Sequence, residues 1–239
     1  MVIAGVDGCR AGWLAVLVDP DGPPRARARL VPRAADVEGL ARRAAIDMPI
    51  GLMDSPWDGP RPVDRAARAF LAARNADGLR AVGSRVFSAP TRAHLAVIRQ
   101  GGGYADLRAA FPKGTCISLQ CYHICAKIIE LDDLLDARPD MPLREAHPEI
   151  AFAHHAGRTL PPKRSAPGAV RRLDLLRAAG FAPEALAQDL AGYRGWARDD
   201  LFDACILALV ASRIAAGRHA TLPDPPDRDS RGIPMAINY

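Results

Sequence analysis

Val2-Ile3-Ala4-Gly5-Val6-Asp7-Gly8-Cys9-Arg10-Ala11-Gly12-Trp13-Leu14-Ala15-Val16-Leu17-Val18 is the stretch that decides the fold. Two short apolar runs, Val2–Val6 and Trp13–Val18, flank a turn-rich segment, the pattern of a β-hairpin. Asp19-Pro20-Asp21-Gly22-Pro23 reads as the next turn, and Arg25–Val31 alternates as a third strand would. Ala34–Ala44 is predicted as a helix. Ala45–Leu52 is predicted as a buried strand cut short by Pro49, because proline cannot donate to a sheet ladder.

Further along, Asp54 to about Gly114 changes texture. Pro56, Pro60 and Pro62 mark a loop. Asp64–Ala73 reads as an Arg-rich helix, Ser84–Pro90 breaks the pattern, and a helix at Arg92–Arg99 ends at Gly101-Gly102-Gly103. A helical insertion over residues 54–120 is therefore expected to cover one end of the sheet. Helices follow at Cys121–Leu135, Pro148–His155, Val170–Ala178 and Asp199–Ala216, with a strand at Met141–Arg144. The Pro/Asp-rich tail from Leu222 to Tyr239 has room for a last strand at Met235–Ile237. Three antiparallel strands followed by alternating helix and strand predict an α/β fold, a mixed sheet flanked by helices, with 1–239 as a single domain.

Composition bounds the class. The chain has 239 residues, 49% of them hydrophobic and 25% charged, which suits a packed core and excludes a disordered chain. No run approaches the roughly 18 apolar residues of a membrane span, and the N-terminus lacks signal-peptide features. A soluble, cytoplasmic protein with no membrane partner is expected. Five cysteines, an odd number, fit a reducing compartment better than a disulfide framework. Cys121, His123 and Cys125 fall in one segment and not in two separated pairs, so small buried core residues fit them better than zinc ligands do. The basic residues are 29 arginines and three lysines (Lys113, Lys127, Lys163), for a net charge of +5. That excess permits an anionic partner such as nucleic acid without requiring one.

Candidate chemistry lies where acids interrupt apolar runs. Asp7 ends the first strand, Asp47 lies in the Ala45 strand, Glu145 follows the Met141 strand, and Asp203 sits a turn inside the apolar stripe of the closing helix. A buried carboxylate costs several kcal/mol unless it is paired or bound to a cation, and open α/β sheets place ligands at strand carboxyl ends. Four carboxylates with no Cys/His set suit a hard cation, Mg2+ or Mn2+. Two such ions about 3.5–4 Å apart would support phosphodiester cleavage. The sequence contains neither a P-loop nor a Gly-x-Ser-x-Gly elbow. Asp199 and Asp200 suit the helix dipole, with a site role for Asp200 open beside it.

Gly5-Val6-Asp7-Gly8-Cys9-Arg10-Ala11-Gly12-Trp13 resembles the opening of the prokaryotic domain of unknown function 429 family, whose members are predicted ribonuclease-H-like nucleases. Further matches follow in order: Ile46–Leu52, Asp64-Arg65-x-x-Arg68, Ser84–Arg92, Ser118-Leu119-Gln120, Lys127-Ile128-x-Glu130-x-Asp132, Glu145–Phe152, Asp203-Ala204 and Gly232–Ile237. Arg85 and Ser88 depart from the family's usual residues. The resemblance implies a ribonuclease-H-like sheet, three antiparallel strands and then two parallel ones. It also implies metal acids from the first strand, a later strand and the closing helix: Asp7, Asp47 or Glu145, and Asp203.

On this reading Asp7, Asp47, Glu145 and Asp203 hold metal in a nuclease or phosphodiesterase, with His147 assisting as acid/base. Arg10, Arg85, Arg92, Lys127 and Lys163 are the candidates for phosphate contact; each has an ion pair or solvated surface as its alternative. His147 has helix capping as its alternative, and Glu149 suits the dipole of the same helix. Trp13 and Trp196 are expected in the core. A non-catalytic binder of nucleic acid or protein on the same fold, and an actin-like phosphotransferase, are the competing functions.

Overall fold

In the computed structural model, which describes residues 1–19 and 26–239, the opening hairpin forms from β1 (Ile3–Cys9) and β2 (Gly12–Val18), followed by β3 (Arg27–Val31). The turn expected at Asp19–Pro23 lies outside the described residues beyond Asp19, as does Arg25. Strand β4 (Arg43–Ile46) runs parallel to β1, and β5 (Leu143–Glu145) runs parallel to β4. The sheet order is β3-β2-β1-β4-β5, with β1, β2 and β3 antiparallel. This is the ribonuclease-H-like arrangement, a mixed sheet flanked by helices with a long helical insertion between β4 and β5.

The helix expected at Ala34–Ala44 is a short 3-10 turn at Ala34–Gly39, and its last residues belong to β4. Leu40, a non-glycine, closes that turn, and Ala44, Ala45 and Ile46 are wholly buried in the sheet. Alanine-rich sequence favours a helix locally, but tertiary pairing overrides that preference. The predicted strand at Ala45–Leu52 ends at Ile46, where Asp47 N–H donates to Val6 O at 2.9 Å and the chain turns away.

The insertion carries α1 (Pro62–Ala73), α2 (Arg92–Arg99), α3 (Tyr104–Ala110) and α4 (Leu119–Ala137). Ser118 caps α4 by accepting from Cys121 N–H at 3.2 Å, and Cys121, Cys125, Ile128, Leu131 and Leu135 are buried at helical spacing. Cys121 and Cys125 thus serve as core residues. After β5 come α5 (Pro148–Ala156), α6 (Ala166–Ala178), α7 (Pro183–Asp189) and α8 (Arg198–Ala215). The chain closes with the hairpin β6 (Thr221–Arg228) and β7 (Pro234–Asn238). Strand β6 escapes the sequence reading because it carries Pro223, Pro225 and Pro226, which an edge strand tolerates. Helices α3 and α7 are too short to show a period.

Apolar side chains pack on both faces of the sheet. Ile3, Leu14, Val16 and Ala45 face α8 and its neighbours; Ala4, Val6, Trp13, Ala15 and Ile46 face α4 and the insertion. Glu130 of α4 accepts from Trp13 Nε1 at 3.2 Å and from Ala34 N–H at 2.5 Å, fixing the insertion to the sheet. Helix α8 lies directly on β1: a Cβ placed on Gly5 would stand 2.0 Å from Ala204 O and 2.1 Å from Ala208 N. Only glycine permits that approach. Among the described residues no helix is long and apolar enough to cross a membrane.

Candidate functional site

Strand register builds the site. Val6 is the last β1 residue to pair with β4, opposite Ile46, so Asp7 and Asp47 follow side by side. Asp7 does not end its strand as expected, since β1 continues against β2 to Cys9, whereas Asp47 lies just past β4. Side chains alternate between faces with period 2. Val6 and Ile46 point to the insertion, and Asp7 and Asp47 therefore point to the α8 face. There Asp203 projects from α8, brought close by the bare Gly5 backbone. One carboxylate oxygen from each of Asp7, Asp47 and Asp203 lies within 4.8 Å of the others.

Glu145 falls elsewhere, for the same reason. It pairs in register with Ile46 and so shares the insertion face of the sheet. Its carboxylate accepts from Arg61 Nη1 at 2.9 Å, Arg61 Nη2 at 2.8 Å and Ile50 N–H at 2.7 Å. Arg61 also holds Asp64 at 2.7 Å and the carbonyls of Ile50 and Gly51, while Asp64 accepts from Ala89 N–H at 2.9 Å. The expected four-acid set is thus three acids on one face and a buried Arg61–Asp64–Glu145 cluster on the other.

The three acids are held in an unfavourable state. Burial pushes the Asp7 carboxyl well above the ordinary carboxylate range, with Asp47, Asp203 and Asp200 adding to it and Lys163 opposing. Asp47 and Asp203 are each pushed up to about 7, burial being the largest cause, with Lys163 pulling both down. Lys163 Nζ lies 2.6 Å from Asp203 Oδ2 and 3.6 Å from Asp199 Oδ2. Burial alone would lower the Lys163 ammonium; Asp203, Asp7 and Asp47 outweigh it and hold it above its usual value.

A cleft of about 1240 Å3 opens on Asp7 and Asp47, lined among others by Arg10, Lys127, His147, Arg164 and Trp196. Arg10 is exposed at its rim. Lys127 Nζ donates to Gly12 O at 2.5 Å and lies 4.4 Å from the Trp13 ring centre. Trp13 is wholly buried, as expected, whereas Trp196 is part-buried at the cleft wall. Arg85 is bonded to Glu149 at 2.7 Å, and Arg172 pairs with the same carboxylate. Those two guanidiniums outweigh burial and hold Glu149 below its ordinary range. Arg92 is bonded to Asp229 at 2.6 Å and to Asp132 and Asp54 at 3.2 Å. Neither Arg85 nor Arg92 is brought to the acids; Arg85 ties the insertion to α5, and Arg92 ties it to the turn of the closing hairpin. His147 caps α5, and Asp200 accepts from Ala197 N–H at 2.8 Å as an N-terminal cap of α8.

Arg61, Arg164 and Phe87 are absent from the candidates: nothing around Arg164 sets it apart, and Phe87 lies in the Ser84–Arg92 match without a polar group of its own. Arg61 did carry a signal: Arg61-Pro62-x-Asp64 places opposite charges three residues apart at a helix start.

The chain belongs to the family described as protein of unknown function (DUF429), whose model matches residues 5–228. No curated protein and no solved structure matches it.

Proposed function

We propose that this chain is a divalent-metal-dependent phosphodiesterase of the ribonuclease-H-like superfamily acting on nucleic acid, with Asp7, Asp47 and Asp203 as the metal ligands. The observation that carries this reading is the three-carboxylate cluster of Asp7 from β1, Asp47 just past β4 and Asp203 from α8, of which Asp7 and Asp203 are buried and Asp47 half-buried, with Asp7 and Asp47 lining a cleft. Buried like charges are costly unless a cation compensates them. The donors are all oxygens, so the set fits Mg2+ or Mn2+ and not a thiophilic ion. When bound, such an ion would polarise a phosphoryl oxygen and acidify a water.

The protein's own residues supply the rest. Three carboxylates and the Lys163 ammonium sum to a formal charge of −2, which one divalent ion balances. Lys163 therefore takes the place of the second cation considered from the sequence. Arg10, Arg164 and Lys127 line the cleft as the cationic groups available to a phosphate backbone; Arg is suited to bidentate contact there. The cleft residues Phe87, His123 and Trp196 add rings on which a base can stack.

The test is hydrolysis of single- and double-stranded DNA and RNA with Mn2+, together with calorimetric counting of Mn2+. Cleavage with one Mn2+ per chain is expected; two ions per chain would overturn the balance, and no cleavage of any substrate would favour the non-catalytic binder. Lys163→Met is expected to bind Mn2+ about tenfold more tightly, because a like charge beside the cation is removed, while cleaving more slowly. Metal affinity and activity moving in the same direction would reject this role for Lys163.

A further inference from the structure

The chain turns from β5 into α5 at His147, whose backbone is extended (φ −135°, ψ 122°). Its Nδ1 lies 3.2 Å from the backbone nitrogen of Glu149. An amide N–H can only donate, so Nδ1 accepts and carries no proton. The neutral ring then has its proton on Nε2. A second proton, on Nδ1, would set donor against donor and release the cap of α5. Burial moves the ring the same way, pulling the imidazole below its ordinary value although Glu149, Asp203 and Glu145 favour the cation. Lys163 is the opposing charge nearby.

His147 lines the cleft together with Asp7 and Asp47. Among the described residues its Nε2 has no hydrogen-bond partner in the protein. A fixed N–H donor is thus presented to the same space as the acid cluster. It is not a proton acceptor, because its only basic nitrogen is already engaged. Nor is it a useful acid, since losing the Nε2 proton would leave an imidazolate.

We propose that His147 is a permanent Nε2–H donor that holds an anionic oxygen of the phosphodiester bound beside Asp7, Asp47 and Asp203, and takes no part in proton transfer. This rests on the phosphodiesterase reading above, and it replaces the acid/base role expected from the sequence.

Two substitutions separate the two ring nitrogens. In His147→Asn the side-chain oxygen takes the Nδ1 position and keeps α5 capped, but no donor reaches the Nε2 position. In His147→Gln the amide nitrogen restores that donor. His147→Asn is expected to lose about tenfold to a hundredfold in kcat/KM, the effect of one hydrogen bond to a charged group, with Tm unchanged. His147→Gln is expected to recover part of that loss.

Nitrogen-15 NMR of the imidazoles, with His147 assigned by its absence in His147→Asn, reads the tautomer without any substrate. The expected spectrum has an unprotonated Nδ1 and a protonated Nε2 from pH 6 to 8. With Mg2+ and a phosphorothioate oligonucleotide the Nε2 proton is expected to move downfield. An imidazolium or an Nδ1–H tautomer at pH 7, or an unmoved Nε2 proton, would overturn the proposal. So would wild-type cleavage rates in His147→Asn, which would leave the phosphodiesterase reading intact. Absence of wild-type cleavage would remove that reading instead, while the NMR titration still decides whether His147 donates.

Discussion

Asp7→Asn is expected to abolish Mn2+-dependent cleavage, by about a thousandfold or more, and at the same time to stabilise the metal-free protein at pH 8. On the metal-centre reading proposed above, the first effect follows from removing one ligand of an ion that would supply several kcal/mol of transition-state stabilisation, each 1.36 kcal/mol being about tenfold in rate. The second follows from electrostatics. Asn keeps the shape and can still accept from Gly8 N–H, which Asp7 does at 2.7 Å. It removes a carboxylate that burial, Asp47, Asp203 and Asp200 all disfavour.

The same balance predicts how the wild type responds to pH. Asp47 and Asp203 rise on folding from the ordinary 3.8 to about 7. Groups whose folded value is raised contribute stability that is fully present below about pH 4 and is lost as pH rises through 7. The metal-free wild type is therefore expected to be less stable at pH 8 than at pH 5.5, by on the order of a few kcal/mol, and so to melt lower, and Mn2+ is expected to restore it. Asp7→Asn should flatten that dependence. Melting curves in EDTA and in Mn2+ at both pH values check this. A variant less stable than wild type in EDTA at pH 8, or one that still cleaves at the wild-type rate, would reject the triad as a metal centre.

Arg61→Met is expected to destabilise the protein by about 3–5 kcal/mol, the cost of leaving buried charge unpaired. Arg61 is only 2% exposed, and its guanidinium binds Glu145, Asp64 and two backbone carbonyls. Through Asp64 it reaches Ala89, and through Glu145 it reaches the end of β5, so one side chain joins the insertion to the sheet. Lysine is not a substitute, because a single ammonium cannot span two carboxylates and two carbonyls; Arg61→Lys should lose most of the same stability. The denaturant midpoint, with the m-value checked for constancy, measures both. A loss under about 1 kcal/mol in Arg61→Met would mean that the two carboxylates find other partners. Asp64→Asn combined with Glu145→Gln removes the charges that Arg61 leaves behind and is expected to rescue part of the loss in an Arg61→Met background.

Apolar runs broken by turn residues were sufficient to read the hairpin of β1 and β2, the third strand, the α/β class and helices such as Arg92–Arg99, whose bounds match those of α2. These are local signals: side-chain period and turn chemistry act over a few residues. Likewise Asp7 and Asp203 stood out because an acid inside an apolar stripe is costly wherever the chain goes. Strand β4 starts two residues before the expected strand and ends at Ile46 instead of Leu52, because an alanine-rich segment prefers a helix until a sheet pairs with it.

Which acids meet was decided only in three dimensions. Asp47 and Glu145 look alike in sequence, each at the end of an apolar strand. Register sets them on opposite faces, since pairing with Ile46 puts Glu145 one residue out of phase with Asp47, and period-2 alternation turns that single residue into a change of side. The partners of Glu145 and Asp203, Arg61 and Lys163, lie 84 and 40 residues away. No local rule connects residues so far apart. Composition and pattern determined a mixed sheet with acids at its strand ends; pairing register and the close approach of α8 over Gly5 decided that two of them, Asp7 and Asp47, share one edge with Asp203 and a lysine.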